Sequence, residues 1–366
     1  MSELYIGLNS GTSMDSIDAV LVDFSPDKPN ILIAKSYAYS QSLKNQLLSA
    51  SNGSLHTPAK IAELDVLVGK AFAEACNKLI DGYPKEEIRA IGSHGQTVSH
   101  NPDSSPGSTL QLGCPAQISE ITQITTISDF RKRDIAAGGQ GAPLMPAFHK
   151  EYFSSDIENR VILNIGGIAN ITFIPTNDSQ LVLGFDSGPG NCLMDKFIKK
   201  EKGFHFDKDG IFASKGIVNE KLLSSLFNDK YFTKGLPKST GTDYFNISWL
   251  DEKIKDFDID KKDIQATLLQ LTVLSISSSI RNHCSPYPSK IFVCGGGAKN
   301  NELIKRLEES MTCEVCLTGE LGIEVDWVEP VGFAWLARQN LKSLPGNVPS
   351  VTGANGQRIL GTITPK

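Results

Sequence analysis

The sequence predicts an α/β protein with two lobes and mixed sheets, and three observations support this prediction. A strand–turn–strand element at residues 5–24 has a counterpart at residues 161–174. A third element, at residues 290–300, is a short apolar strand followed by glycines. At 366 residues, the chain can bury two hydrophobic cores. We expect a first lobe of residues 1–128 with about 350–366, and a second lobe of residues 129–349.

The first element consists of two apolar strands joined by a small, polar tip. Glycine in such a tip lets backbone N–H groups approach phosphate oxygens, because a Cβ would block the approach. Carboxylates in the tip would need a divalent cation to offset their charge, so Asp15 and Asp18 are predicted to reach a metal indirectly, through water. An ordinary hairpin with a permissive turn is the alternative. The predicted nucleotide-binding residues here are Gly11, Thr12, Ser13, Met14, Asp15, Ser16, Ile17 and Asp18.

The second element repeats this pattern, with the tip Gly166-Gly167 between two apolar strands. Two such hairpins can hold a phosphate chain between two lobes without a P-loop, and the sequence contains no Walker A motif. We therefore interpret the chain as a two-lobed phosphotransferase. In this element, Gly166, Gly167 and Asn170 are the predicted nucleotide contacts.

The third element is the strand at residues 290–294, three glycines and a helix from about Asn301. Glycines between a strand and a helix N-terminus let a flat group pass over the backbone, and adenosine is the expected guest. A lone glycine triplet is more often only a turn. The predicted contacts are Gly295, Gly296, Gly297, Lys299 and Asn300.

Asp186 is the main candidate for chemistry. It follows the apolar run at residues 181–185 and precedes a predicted helix from Asn191. A carboxylate at a strand end, facing a cleft, can take a proton from water or a hydroxyl. The alternative is an aspartate that caps the following helix.

Several further elements are predicted from apolar periodicity and from glycine and proline content. We expect helices at residues 64–80, 191–200, 219–227, 264–283 and 331–342, and a last strand at residues 358–363 that returns to the first lobe. Residues 131–146 are predicted to be a loop that crosses between the lobes, and residues 202–215 a mobile loop.

The two hairpins and the glycine-rich turn, in this order, resemble the superfamily of sugar kinases, heat-shock chaperone ATPases and actin. Within it, five segments resemble the 1,6-anhydro-N-acetylmuramic acid kinase family: residues 11–15, 138–144, 164–170, 184–191 and 293–300. The resemblance covers nearly the whole chain. The family usually has Gly at the position of Ser16 and Thr at the position of Ser187, so Ser16 bears on nucleotide affinity.

This resemblance implies an actin-like ATPase fold, ribonuclease-H-like, with a central cleft for nucleotide and sugar. It implies ATP and Mg²⁺ as cofactors, Asp186 as the catalytic base, and a homodimer. The implied reaction opens 1,6-anhydro-N-acetylmuramic acid with water and phosphorylates O6, as in peptidoglycan recycling. The resemblance assigns substrate binding to His94, Gln96, Arg131, Gln140, Pro143 and Glu329.

Three of these substrate-binding assignments have a simpler alternative. Arg131 lies in a charged run that solvent could cover, His94 could be a buried structural histidine, and Glu329 could cap a helix. Cys313 and Cys316 could be half of a zinc site, a redox pair, or incidental thiols.

Composition points to an enzyme of the cytoplasm. The net charge of -5 gives no sign of a nucleic-acid or anionic membrane partner. The sequence has no signal-peptide pattern and no apolar stretch of about 18 residues.

Two rival functions remain open at this point. An inverting glycosidase could pair Asp186 with Asp15 or Glu329, and a non-enzymatic ATPase module would share the two lobes. Dependence of turnover on ATP would separate the kinase from the glycosidase.

Overall fold

The computed structural model describes residues 2–11, 13–54, 57–177 and 180–366. They form two compact units, Met1–Tyr152 with Trp327–Lys366, and Phe153–Asp326. The strands are β1 Leu4–Asn9, β2 Ser16–Asp23, β3 Asn30–Ala38, β4 Ile88–Ser93, β5 Gln96–Asn101, β6 Ser108–Leu112, β7 Thr126–Ser128, β8 Arg160–Ile165, β9 Ile168–Ile174, β10 Leu183–Pro189, β11 Lys290–Cys294, β12 Glu314–Leu317 and β13 Thr362–Thr364.

The helices begin close to the predicted positions, and Ser, Thr, Asn or Asp side chains cap most of the longer ones. They are α1 Gln41–Ser51, α2 Pro58–Leu79, α3 Pro115–Thr122, α4 Lys132–Ala136, α5 Met145–Phe153, α6 Cys192–Lys202, α7 Glu220–Phe227, α8 Ile247–Ile254, α9 Lys261–His283, α10 Asn301–Ser310, α11 Val328–Leu341 and α12 Pro349–Thr352. Among the helices that the structure describes, none combines the length and hydrophobicity needed to cross a membrane.

The first unit contains a mixed sheet in the order β13-β7-β4-β1-β2-β3. β1, β2 and β3 are antiparallel neighbours, and β4 and β7 run parallel to β1. The register pairs Leu4 with Asp23 and Asn9 with Asp18, which confirms the first hairpin. β13 pairs with β7, so the last strand returns to the first unit as predicted.

The second unit repeats this arrangement in the order β10-β9-β8-β11-β12. β8, β9 and β10 are antiparallel neighbours, and β11 and β12 run parallel to β8. Both sheets therefore have three antiparallel strands followed by parallel strands beside the first, which is the ribonuclease-H-like arrangement. The predicted fold with mixed sheets is confirmed.

Helix α11 packs unusually close to the first sheet because glycines face it. A Cβ on Gly7 of β1 would overlap the carbonyl oxygen of Pro330, and a Cβ on Gly92 of β4 would overlap that of Phe333. This close approach places Glu329, in the first turn of α11, beside the end of β1. The two glycines thus position a candidate site residue.

The compact units end at other residues than the predicted lobes. Buried Asp134 binds the segment after β7 into the first unit, since its carboxylate accepts from Gly141 N–H (2.8 Å), Asn347 Nδ2 (2.7 Å) and Thr352 Oγ1 (2.8 Å). Residues 131–146, which include α4, belong to the first unit. The prediction of a loop that crosses between the lobes was therefore wrong. Burial of a charged group with three partners outweighs the loop-like composition of this segment.

Residues 202–215 also contain more structure than predicted. Two 3-10 turns, Lys208–Gly210 and Ala213–Lys215, lie in this segment. Buried Asp207 accepts from the N–H groups of Phe212 (2.8 Å) and Ala213 (2.9 Å). A carboxylate in this position satisfies backbone donors that a loop would otherwise expose.

Candidate active site

Asp186 lies inside β10, opposite Asn170 of β9, at a register shift between Asp186 and Gly188. The predicted strand-end position was wrong, because pairing with β9 continues to Pro189. The capping alternative also fails, since Asn191 is the N-cap residue of α6. Bulges of this kind re-aim side chains and are common next to active sites.

The segment at residues 231–240 holds both the side chain and the backbone of Asp186. The N–H of Thr240 donates to Asp186 Oδ2 at 2.9 Å. The Tyr231 hydroxyl donates to the Asp186 carbonyl at 2.8 Å, and the Asp186 N–H donates to the Lys238 carbonyl at 3.2 Å. The carboxylate is therefore oriented before any ligand binds.

Lys238 is a functional candidate that the sequence interpretation missed. Its side chain is only 4% exposed, and Nζ lies 5.3 Å from the ring centroid of Tyr231 and 5.9 Å from that of Phe185. Burial lowers the pKa of Lys238, and the negative charge of Asp186 opposes this shift. The glycine- and hydroxyl-rich run at residues 238–242 was the available signal.

The aromatic residues near Asp186 form a packed cluster. Asp229 accepts from the Tyr231 N–H (2.9 Å), the Tyr244 hydroxyl (2.8 Å) and Trp249 Nε1 (3.0 Å). Because Tyr231 also donates to Asp186, Asp229 supports the site indirectly. Tyr244 and Trp249 pack against the hydrophobic core of the second unit.

The tip of the second hairpin docks on the start of α6. The carbonyl of Gly166 accepts from the Asn191 N–H at 2.8 Å, and that of Gly167 accepts from Gly190 (2.9 Å) and Cys192 (3.1 Å). These bonds fix the positions of Gly166 and Gly167 relative to the helix that follows Asp186.

The three glycines after β11 have different roles. Gly295 has a φ of 79°, and a Cβ there would overlap the side-chain oxygen of Asn164. A Cβ on Gly297 would overlap the side chain of Ile165. Apart from its chain neighbours, a Cβ placed on Gly296 would meet one heavy atom of the described residues within 4 Å, Asn191 Nδ2 at 3.9 Å. Two glycines therefore serve packing, and Gly296 leaves space for a ligand.

Lys299 and Asn300 have partners within the second unit. Lys299 Nζ forms an exposed ion pair with Asp326 at 2.6 Å. Asn300 caps α10, since its side-chain oxygen accepts from the Leu303 N–H at 3.1 Å. The Asn300 oxygen is thus already engaged, which the sequence motif did not indicate.

In the first unit, Arg131 and His94 form a close pair. Arg131 Nε and Nη2 donate to His94 Nε2 at 3.1 and 3.0 Å, and Nη1 donates to the Gly141 carbonyl at 2.8 Å. The His94 ring stacks on Phe333 at 4.5 Å. Burial and the Arg131 charge hold the pKa of His94 well below its usual value, so the imidazole is neutral at pH 7.

Glu329 lies near this pair and is partly buried. Its Oε2 accepts from Asn9 Nδ2 at 3.3 Å. The pKa of Glu329 is raised overall, mainly by burial and also by the negative charge of Asp18, and the Arg131 guanidinium opposes this shift. The structure therefore brings Glu329 within electrostatic reach of two other predicted residues, Arg131 and Asp18.

Gln96 is buried and holds the tip of the first hairpin. Its Oε1 accepts from Ser10 Oγ at 2.7 Å, and its Nε2 donates to the Gly11 carbonyl at 3.2 Å. Gln140 has a different partner, since its Nε2 donates to Asp103 Oδ1 at 2.9 Å. Pro143 follows in the same segment.

The tip itself carries the two candidate metal carboxylates. Asp15 is exposed and forms an ion pair with Lys44. Asp18 accepts from Ser16 Oγ (3.2 Å) and Ser36 Oγ (2.6 Å). Met14 and Ile17 are buried and Ser13 is exposed. The predicted contact Thr12 lies outside the described residues.

These carboxylates offer the hard oxygen atoms that Mg²⁺ prefers. The described ranges contain no group of three or more His, Cys, Asp or Glu side chains that could hold a metal ion. Asp15 and Asp18 therefore fit contact with a hydrated ion through its water molecules. Cys313 and Cys316 are free thiols, and burial raises the pKa of both.

Comparison with known proteins shows the family. The family model for anhydro-N-acetylmuramic acid kinase matches residues 3–366. The chain belongs to this family. Curated anhydro-N-acetylmuramic acid kinases of Shewanella denitrificans and Coxiella burnetii are 47% and 45% identical to it. These alignments cover 98% and 99% of this chain, and 97% of each relative.

A solved structure also aligns with the chain. The activator of the 2-hydroxyisocaproyl-CoA dehydratase from Clostridium difficile matches with 14% identity and a TM-score of 0.47. The alignment covers 94% of this chain and 96% of the activator.

Proposed function

We propose that this chain is an ATP-dependent kinase that hydrolytically opens 1,6-anhydro-N-acetylmuramic acid. Water attacks the anomeric carbon, the C1–O6 bond breaks, and O6 takes the γ-phosphoryl group of ATP. The products are N-acetylmuramic acid 6-phosphate and ADP, with one proton released. Membership of the family over nearly the whole chain supports this proposal, and the oriented carboxylate of Asp186 is the structural observation that carries it.

Asp186 is the proposed base. Its carboxylate accepts from the Thr240 N–H, and its backbone is fixed on both sides by Tyr231 and Lys238. A carboxylate that is held in this way loses little freedom when it takes the proton of the attacking water. The proton then leaves to solvent after the sugar product forms.

The nucleotide is proposed to contact the three glycine-containing elements. Residues 11–18 and the tip Gly166-Gly167, with Asn170, would face the phosphates, and Gly296 would leave room for the adenosine. Gly295, Gly297, Lys299 and Asn300 would shape this turn. Mg²⁺ would neutralise charge on the phosphate oxygens, with Asp15 and Asp18 accepting hydrogen bonds from its water.

The sugar is proposed to contact residues of the first unit. The Arg131 guanidinium is the cation that suits the lactyl carboxylate, with His94 as a neutral neighbour. Glu329 would accept from a sugar hydroxyl or from the attacking water. Gln140 and Pro143 would border the sugar. Gln96 would fix the tip of the first hairpin, because both its amide oxygen and its amide nitrogen form hydrogen bonds there.

The proposal also includes a role in peptidoglycan recycling, a cytoplasmic location, a homodimer and the absence of a nucleic-acid partner. The net charge of -5 supports the last point, and the composition supports the cytoplasmic location. The family resemblance supports the role in recycling and the homodimer.

Mass spectrometry of the products tests the function. Purified protein is incubated with the anhydro-sugar, Mg²⁺ and ATP, and in parallel without ATP. We expect N-acetylmuramic acid 6-phosphate and ADP in equal amounts, and no sugar product without ATP. Free N-acetylmuramic acid formed in the absence of ATP would instead indicate the glycosidase.

A further inference from the structure

We propose that Lys238 is a positioning residue whose buried ammonium group acts on the Asp186 carboxylate, an inference that rests on the proposed role of Asp186. The resemblance to known kinases assigned no role to this lysine. The structure places it beside Asp186 through a backbone hydrogen bond and a buried side chain.

The backbone at Lys238 lies directly against Asp186. The Lys238 carbonyl accepts from the Asp186 N–H, and two residues later the Thr240 N–H donates to the Asp186 carboxylate. The short segment 238–240 therefore contacts Asp186 at both its backbone and its side chain. A displacement of this segment would move the carboxylate.

The Lys238 side chain is buried together with its charge. A buried ammonium group is expensive unless anions or aromatic faces compensate for lost water. Lys238 Nζ lies over the rings of Tyr231 and Phe185, and Asp186 supplies the negative charge that favours its protonated form. By reciprocity, the ammonium favours the ionised form of Asp186.

The other titratable groups around this pair are Tyr231 and His283. Burial and the charge of Asp186 raise the pKa of Tyr231, so its phenol stays neutral at working pH. Burial and the Lys238 charge lower the pKa of His283, whose ring lies 5.3 Å from that of Phe185. His283 is therefore the group whose titration has to be separated from that of Asp186.

The test compares pH profiles of kcat for the parent, Lys238→Met and Lys238→Arg, with His283→Gln as the matched control. A base must be ionised, so the rate falls on the acid side of the profile. Removing the cation should move this acid limb up by about one pH unit. At the pH where the parent keeps half its maximal rate, Lys238→Met should be about fivefold slower.

Lys238→Arg should keep the acid limb near that of the parent, and His283→Gln should leave it unmoved. An unmoved limb in folded Lys238→Met would overturn the inference, even if the plateau rate falls. A higher KM with an unchanged kcat would also overturn it, because the lysine would then bind a ligand. Should Lys238→Met fail to fold, Lys238→Gln provides the same comparison with a neutral polar side chain.

The Asp186→Asn variant separates this inference from the proposed function. If Asp186→Asn stays active, the assignment of the base fails, and the Lys238 inference fails with it. If Asp186→Asn is inactive and the acid limb of Lys238→Met does not move, only the inference about Lys238 fails.

Discussion

The backbone N–H of Thr240 donates to Oδ2 of Asp186 at 2.9 Å, although the residues lie 54 positions apart in the chain. A backbone donor orients the carboxylate whatever the side chain at position 240. The same N–H can donate to an asparagine at position 186, because the side-chain carbonyl oxygen of Asn accepts hydrogen bonds as a carboxylate oxygen does. This contact makes Asp186 a position where chemistry can be changed with little change in structure.

Asp186→Asn should bind ATP nearly as well as the parent but turn over at least about a thousandfold more slowly, as expected for a lost base. Steady-state kinetics and calorimetry with ATP measure the two effects. Asp251→Asn, which removes an exposed carboxylate paired with Lys200, is the matched control and should keep its activity. If Asp186→Asn retained more than about a tenth of the parent rate, Asp186 would not be the base.

Gly11→Val should weaken ATP binding and leave the fold intact. Among the described residues, and apart from Gly11 and its two chain neighbours, no heavy atom lies within 4 Å of a Cβ placed on Gly11, so this part of the protein has room for the side chain. A phosphate bound at this tip would collide with the valine side chain. Gly235→Val, at another glycine with open space, is the control and should bind ATP normally. Calorimetry showing equal ATP affinity in all three proteins would remove this tip from the nucleotide site.

Arg131→Met should raise the pKa of His94, because the guanidinium is one of the causes that lower it. An NMR titration of ¹³C-labelled histidines measures the change. His149, whose pKa burial alone lowers to about 3, serves as an internal control and should not move. A His94 resonance that titrates identically in both proteins would show that the pair does not exist in solution.

The protein should be less stable in mild acid than at neutral pH, because His149 is buried in its neutral form. Its folded-state pKa of about 3 lies below that of an unfolded histidine, so its contribution is present at pH 7 and is lost as the pH falls below about 6.5. Between pH 7.5 and 5 the loss is about 2 kcal/mol. Urea unfolding at both pH values should show a smaller decrease in His149→Gln than in the parent. An equal decrease would mean that His149 is not buried in the neutral form.

Much of the fold could be predicted from the sequence because it depends on local signals. The two hairpins have glycine-containing tips between apolar strands, and the turn after β11 has three glycines between a strand and a helix; the structure confirms all three. Residues 131–146 were mispredicted since their composition is that of a loop. The contacts that fix them come from Asn347 and Thr352, far away in the sequence.

For the candidate site as well, local motifs could be predicted and contacts between distant residues could not. Motifs identified Asp186, Arg131 and Glu329 as candidates, but a strand end could not be told from a bulge by apolar periodicity alone. Lys238 was missed because its proximity to Asp186 depends on the path of a long connection after α7. Partners that lie about 50 residues apart leave no periodic signal in a single sequence.

In the proposed reaction, water opens the anhydro ring in the same event that phosphorylates O6. Turnover in ¹⁸O-labelled water with ATP and the anhydro-sugar, followed by NMR and mass spectrometry of the product, tests this coupling. We expect the label at C1 with inverted configuration, unlabelled phosphate on O6, and no sugar without phosphate at any time. Label in the phosphate, retention at C1, or free N-acetylmuramic acid that accumulates before phosphorylation would contradict it.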